Sequence, residues 1–162
     1  MKKLSLAIAC LVATFTVNAQ TSDAEAEAMI NLLGVQKREA MVKLVSVSGK
    51  DSVAFWKIYD DYISKNKGVA KDRIRLYEAT AKAYGNMTPA VADSLSRKYF
   101  QNRMNQEKGL EEYYNKIKSA TNPVIAFQFY QAEVYLLNMV RTQIMQQIPT
   151  YGEVQVAAKK KN

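Results

Sequence analysis

The stretch that decides the fold covers residues 51–84 and reads DSVAFWKIYDDYISKNKGVAKDRIRLYEATAKAY. Apolar residues recur in it at intervals of seven, with further apolar residues three or four positions away. The repeating positions are Trp56, Ile63, Ala70, Tyr77 and Tyr84. This period predicts a single helix, roughly 50 Å long, that packs along one seam against other helices. Two polar residues, Asn66 and Arg73, interrupt the seam.

Capping residues and prolines divide the rest of the chain. Thr88 precedes Pro89 and Asn122 precedes Pro123, so both pairs place an N-cap residue before a proline at the first helical position. Residues 48–51 read SGKD and have the spacing of a capping box. These signals predict four helices, over residues 24–45, 51–84, 89–119 and 123–148. The predicted fold is therefore all-α, an elongated helical hairpin or bundle with one long central helix.

The last predicted helix has the most continuous apolar pattern. Its apolar residues recur at spacings of three and four, and they are Phe127, Tyr130, Val134, Leu137, Val140, Ile144 and Ile148. We therefore expect this helix to be the most buried. Glu133 should then form a buried, hydrogen-bonded pair with another helix, and Arg73 is the candidate partner. Several Gln and Asn side chains along the same helix argue against a membrane span.

The N-terminal residues have the pattern of an export signal. Lys2 and Lys3 precede an apolar run over residues 4–17, and Ala19 is the small residue at the predicted cleavage site. Lipidation of Cys10 is an alternative, but the apolar run in front of it is shorter than a signal peptide needs. We predict a periplasmic protein with a signal peptide at 1–19, an all-helical domain at 20–150 and a disordered lysine-rich tail at 151–162.

The composition excludes the commonest kinds of catalytic centre. The 162 residues include no His and one Cys, which removes Ser-His-Asp chemistry, Cys-His chemistry and His-ligated zinc. The six glycines form no phosphate-binding pattern. We therefore predict a binding protein rather than an enzyme, without a cofactor or a metal. The net charge of +8 is diluted by acidic residues and no nucleic-acid-binding motif is present, so we predict no nucleic-acid partner.

Three short motifs carry a family resemblance. Residues 55–59 read FWKIY near the start of the long helix, residues 87–91 read MTPAV at a second helix start, and residues 147–149 read QIP at the end of the last helix. Over residues 24–150 this arrangement resembles the Spy/CpxP-like periplasmic proteins, whose signature is Leu-Thr-x-x-Gln. The MTPAV segment keeps the threonine of that signature, with methionine in place of leucine and valine in place of glutamine.

The resemblance implies an all-helical protein that holds unfolded clients without ATP, or an adaptor in an envelope stress response. Its partners would be unfolded or specific envelope proteins, or a second copy of the chain in a homodimer. The candidate binding residues, on an amphipathic and basic helical surface, are Arg38, Lys71, Arg75, Arg97, Arg103 and Met104. The same basic residues also fit an ordinary solvated face, because acidic residues are interspersed among them.

Two other functions stay open from the sequence. The chain fits a specific regulatory partner of one envelope stress sensor or extracytoplasmic sigma-factor system, and it also fits a purely structural helical protein. Tyrosines that match the predicted seams are assigned to helix interfaces. Tyr62 and Tyr114 match the seams less well, so we predict that they face solvent or a partner.

Overall fold

The computed structural model describes residues 23–145, with nearly all of their side chains. These residues form four α-helices, namely α1 (Asp23–Leu44), α2 (Lys50–Ala83), α3 (Pro89–Ala120) and α4 (Pro123–Met145). A 3-10 turn over Tyr84–Asn86 extends α2, and the described part of the chain contains no strand. The predicted all-α fold with one long central helix is therefore confirmed. The predicted signal peptide at 1–19 and tail at 151–162 lie outside the described residues.

Two of the predicted helix starts have the predicted caps. The Thr88 side chain accepts a hydrogen bond from the Val91 backbone N–H at 3.3 Å, directly before α3. Before α4, Asn122 Oδ1 accepts hydrogen bonds from the N–H groups of Val124 and Ile125 at 2.9 and 3.1 Å. Each cap satisfies backbone donors that the first helical turn leaves unpaired, which fixes the helix start at the following proline.

The start of α2 differs from the prediction. The N-cap residue is Gly49, no side chain caps the helix, and α2 begins at Lys50. The predicted capping box at residues 48–51 is therefore wrong. Gly49 has a φ of 58°, a left-handed conformation that glycine adopts without steric penalty, so the chain turns from α1 into α2 through this backbone geometry.

Short connections make each helix antiparallel to the next. Helix α1 packs against α2, α2 against α3, α3 against α4, and α4 returns to pack against α1. The four helices thus close into an up-down-up-down bundle. Helices α2 and α3 have 34 and 32 residues, so the hairpin they form is longer than the described parts of α1 and α4, with 22 and 23 residues.

Buried aromatic and aliphatic side chains fill the bundle near the α3–α4 connection, and we call them the basal cluster. Its large members are Met41, Phe55, Tyr59, Tyr62, Leu110, Tyr113, Ile117, Phe129 and Leu136. The Tyr62 ring is central, with its centroid 5.4 Å from that of Phe129 and 5.2 Å from that of Tyr113, both in T-shaped contacts. Such edge-to-face pairs add roughly 0.5–1.5 kcal/mol each beyond the area they bury.

The buried seam of α2 agrees only in part with the predicted one. Of the five predicted heptad positions only Tyr77 is buried, while Ala70 and Tyr84 are exposed. Tyr59 and Ile74, which the spacings of three and four also assign to the seam, are buried. The basal cluster adds Phe55 and Tyr62 from a neighbouring row. The prediction that Tyr62 faces solvent or a partner is wrong, because the residue is only 2% exposed. Helix α2 packs against both α1 and α3, so its buried surface is wider than one heptad row.

The buried face of α4 is offset in the same way. The predicted stripe included Phe127, but this side chain is 56% exposed, and Tyr130 is only half-buried. The buried residues are Ile125, Ala126, Phe129, Ala132, Glu133 and Leu136. Both rows of α4 are apolar at helical spacing, so periodicity alone does not distinguish them.

Candidate functional site

Arg38, the first predicted binding residue, joins α1 to α2. Its Nε donates a hydrogen bond to Asp60 Oδ1 at 2.9 Å, and its guanidinium lies over the Trp56 ring, 4.7 Å from the centroid. The hydrogen bond to Asp60 raises the pKa of Arg38. The side chain therefore already has an acidic and an aromatic contact within the molecule, which gives it a role in packing α1.

Three other predicted residues, Lys71 and Arg75 on α2 and Arg97 on α3, lie outside both concave regions of the molecule, which are described next. Arg97 donates a hydrogen bond to Asp93, one turn earlier on α3. On α2, Lys71 is half-buried and Arg75 is exposed.

The remaining two predicted residues, Arg103 and Met104, line one groove, which we call the α3–α4 groove. Its lining residues are Arg103, Met104, Glu107, Lys108, Glu111 and Tyr114 from α3, and Phe127 and Tyr130 from α4. Met104 is 50% exposed and Phe127 56% exposed, which is unusual for side chains of this size. Phe100, one turn before Met104, is 67% exposed and lies on the same side of α3.

The charges of the α3–α4 groove are balanced. Arg103 and Lys108 supply two positive charges, and Glu107 and Glu111 supply two negative charges. The groove therefore does not have the basic character predicted for the binding surface. Its distinguishing property is exposed apolar area next to charges of both signs, and such patches commonly mark interaction surfaces.

The two aromatic residues that α4 adds to this groove, Phe127 and Tyr130, are not among the predicted binding residues. The apolar spacing places them in the buried stripe of α4, but the offset of that stripe leaves Phe127 exposed and Tyr130 half-buried at the groove. The sequence does contain a signal for such residues, which is the presence of two apolar rows on one predicted helix. Since a helix in a small bundle buries one broad face, the second row must lie at the margin or face a partner.

The second concave region is a cavity of about 120 Å³ to which all four helices contribute, and we call it the central cavity. Aliphatic residues form much of its wall, including Ile30 and Leu33 of α1, Ile63 of α2 and Leu137 of α4. Polar and charged side chains share the lining, and they are Lys37, Asn66, Lys67, Arg73, Asn102, Gln106 and Arg141. The cavity adjoins the basal cluster, because Tyr62 belongs to both.

A buried ion pair lies at the boundary between the basal cluster and the central cavity. Lys37 Nζ of α1 is 2.5 Å from Glu133 Oε1 of α4, and the Glu133 side chain is fully buried. The same ammonium lies 5.7 Å from the centroid of the Tyr62 ring. The prediction that Glu133 forms a buried pair with another helix is confirmed. Its partner is Lys37, so the expectation that Arg73 would pair with it is wrong.

Arg73 instead joins α2 to α3 through neutral amides. Its Nε donates to Asn102 Oδ1, and its Nη2 donates to Gln106 Oε1 at 3.1 Å. Asn102 is itself buried, and its Nδ2 donates to the Val69 carbonyl at 2.9 Å. These contacts hold the guanidinium at the cavity wall without neutralising its charge.

Two tyrosines of the basal cluster are held in their neutral form. Burial, with a further contribution from the Glu133 carboxylate, raises the pKa of Tyr59 and of Tyr62 well above the ordinary value. The buried Tyr59 hydroxyl has no hydrogen-bond partner among the described residues. These hydroxyls are therefore unsuited to proton transfer near neutral pH.

Within residues 23–145, no three His, Cys, Asp or Glu side chains lie close enough together to hold a metal ion. None of the described helices is both long and apolar enough to span a bilayer. No protein-family model, no curated protein and no solved structure matches the chain.

Proposed function

We propose that this protein is an exported, ATP-independent binding protein that holds apolar segments of other envelope proteins, as a chaperone or as a stress adaptor. The observation that carries the proposal is the α3–α4 groove, with two large apolar side chains exposed along it, Met104 and Phe127, and a third, Phe100, exposed one turn before Met104 on α3. The predicted signal peptide and the family resemblance supply the location and the class of partner. The proposal includes no catalysis and no bound cofactor.

The side chains of the groove suit partners of varied sequence. Phe127 in the groove and Phe100 beside it offer flat apolar contact area, and the flexible Met104 side chain adapts to different shapes. The balanced charges allow a bound segment of either sign, since neither is repelled along the whole groove. Binding of this kind depends mainly on apolar contact and tolerates changes of partner, as a chaperone or adaptor requires.

A client-aggregation assay tests the proposal. The full-length mature protein should delay aggregation of two unrelated unfolding clients at stoichiometric amounts. Met104→Asp and Phe127→Asp should each remove most of this effect, because a carboxylate in the groove must be desolvated when an apolar segment binds. Val53→Asp is the matched control, since Val53 is 77% exposed outside the groove and its variant should retain full activity.

The outcomes separate the chaperone from the adaptor. If the wild-type protein protects no client but retains one envelope protein in a groove-dependent way, the adaptor form of the proposal is correct. If Val53→Asp and the two groove variants behave alike in both measurements, the groove is not the binding surface. Circular dichroism and thermal unfolding of each variant check that the four-helix fold is intact.

A further inference from the structure

The central cavity has the size of a small organic ligand. Its volume is about 120 Å³, and all four helices line it. An engineered protein cavity of about 150 Å³ binds benzene, so the space here suits a single ring or a chain of about six carbons. A ligand of this size would touch the aliphatic walls that Ile63, Ile74 and Leu137 provide.

The charged groups in the lining have only one sign. The cations are Lys37, Lys67, Arg73 and Arg141, and no Asp or Glu is among the lining residues that the structure describes. Lys37 is already paired with Glu133, so the remaining cations give the cavity a positive excess. A concave, largely apolar site with uncompensated positive charge attracts anions.

Arg73 is built into the wall as a receptor for an anionic head group. Two of its five N–H donors bind the oxygens of Asn102 and Gln106, which leaves three for a ligand. Asn102 is 5% exposed and is anchored to the backbone of Val69, so the guanidinium is held in place before a ligand arrives. A planar carboxylate matches the guanidinium fork with two parallel hydrogen bonds.

We propose that the central cavity binds a small monocarboxylate with an apolar body of about six carbons. The carboxylate pairs with Arg73, and the apolar body lies against Ile63, Ile74 and Leu137. Arg141 of α4, half-buried and without a carboxylate partner among the described residues, contributes a second positive charge at the same site. This site is separate from the α3–α4 groove and does not depend on the function proposed for that groove.

Benzoate and hexanoate are the probes, with benzyl alcohol as the uncharged counterpart of benzoate. Isothermal titration calorimetry on the full mature chain should show one saturable site for each carboxylate. Benzyl alcohol should bind at least about tenfold more weakly, because it lacks the charge-assisted hydrogen bonds. Equal binding of benzoate and benzyl alcohol, or no saturable binding of either carboxylate, would overturn the proposal.

Variants locate the site. Arg73→Met should weaken benzoate binding by about tenfold or more, since it removes the charge but keeps the aliphatic stem. Arg97→Met is the matched control, because Arg97 is exposed near the hairpin tip and outside the cavity, and its variant should bind as the wild type does. If Arg73→Met and Arg97→Met bind benzoate equally, Arg73 is not the receptor and the proposal is wrong.

A second variant covers the case in which Arg73→Met disturbs the fold. Ala70 lines the cavity but is exposed, so Ala70→Phe should block the space without replacing a core residue. We expect it to abolish benzoate binding while thermal unfolding stays close to wild type. The groove variant Phe127→Asp should retain benzoate binding, which separates this site from the α3–α4 groove. A folded Ala70→Phe variant with unchanged binding would contradict the proposal.

Discussion

The basal cluster and the central cavity are adjacent layers of one bundle, but the cluster consists of closely packed aromatic and aliphatic side chains, whereas the cavity lining mixes aliphatic side chains with amides and cations. In the basal cluster, aromatic rings from α2, α3 and α4 contact one another edge to face and exclude water. In the cavity layer, the same helices supply cations, amides and an unfilled space. The change occurs within one turn of α2, between Tyr62 and Asn66.

The two halves of α2 therefore contribute different properties, which are packing in the basal cluster and polar side chains at the central cavity. The first half of α2 supplies Phe55, Tyr59 and Tyr62 to the basal cluster, and burial of apolar area is the main source of folding free energy. The other half contains polar residues at the interface, which stabilise less but form a surface with donors and charge. The stability that the basal cluster provides thus allows the adjacent layer around the central cavity to be less closely packed.

The largest expected change in the free energy of unfolding comes from truncating a side chain of the basal cluster, compared with one at the wall of the central cavity. Phe129→Ala removes a fully buried ring that contacts Tyr59 and Tyr62, and it should lower the free energy of unfolding by about 3–5 kcal/mol. Leu137→Ala at the cavity wall should cost only about 1–2 kcal/mol, because Leu137 is half-buried next to existing space. Urea denaturation measures both, and equal losses would contradict the contrast between the layers.

The ion pair at the boundary between the layers should give the next largest effect. Lys37→Met leaves the Glu133 carboxylate fully buried without its counter-ion, so the free energy of unfolding should fall by about 3 kcal/mol. The double variant Lys37→Met, Glu133→Leu removes both charges and should recover most of that loss. A double variant as unstable as Lys37→Met alone would show that the pair is not the cause.

Much of the fold could be predicted from local signals in the sequence. Thr88 and Asn122 act as caps where predicted because their hydrogen bonds reach only a few residues along the chain. The capping box before α2 was wrong because Gly49 begins the helix through a backbone conformation that the spacing rule does not consider. Helix number and order therefore followed from the sequence, with one start formed differently.

The candidate sites depended on contacts between helices, which sequence periodicity does not determine. Arg38 is engaged by Asp60 of another helix, and nothing in the local pattern identifies that partner, whereas the Arg97–Asp93 pair lies within α3 at a spacing of four residues. The polar interruptions at Asn66 and Arg73 were visible, however, and both line the central cavity. A polar gap in an apolar seam is thus a useful indicator of a concave site between helices.

Alkaline pH should lower the free energy of unfolding through the two buried tyrosines of the basal cluster. An unfolded tyrosine loses its proton near pH 10, whereas Tyr59 and Tyr62 keep theirs because their pKa values are raised. The folded state then binds more protons than the unfolded state, so the stability contributed by these groups is complete below about pH 9 and falls above pH 10. The expected slope is about 1.4 kcal/mol per pH unit for each tyrosine.

Denaturant unfolding between pH 8 and pH 11.5 measures this slope. Because the variant Tyr59→Phe lacks one of the two buried tyrosines, its free energy of unfolding should fall with pH less steeply than that of the wild type, by about 1.4 kcal/mol per pH unit. Tyr114→Phe is the control, because Tyr114 is only half-buried. Identical slopes for wild type and Tyr59→Phe would contradict the assignment.

The smallest expected effect concerns the two buried hydroxyls at neutral pH. The Tyr59 hydroxyl has no hydrogen-bond partner among the described residues, so Tyr59→Phe removes a desolvated polar group and should leave stability unchanged or raise it by about 1 kcal/mol. Burial, followed by the interaction with the Glu133 carboxylate, raises the pKa of Tyr62, and because Tyr62→Phe removes that interaction it should lower stability by about 1 kcal/mol. Thermal unfolding at pH 7 compares them, and a Tyr59→Phe variant less stable than Tyr62→Phe would show that the Tyr59 hydroxyl has a partner after all.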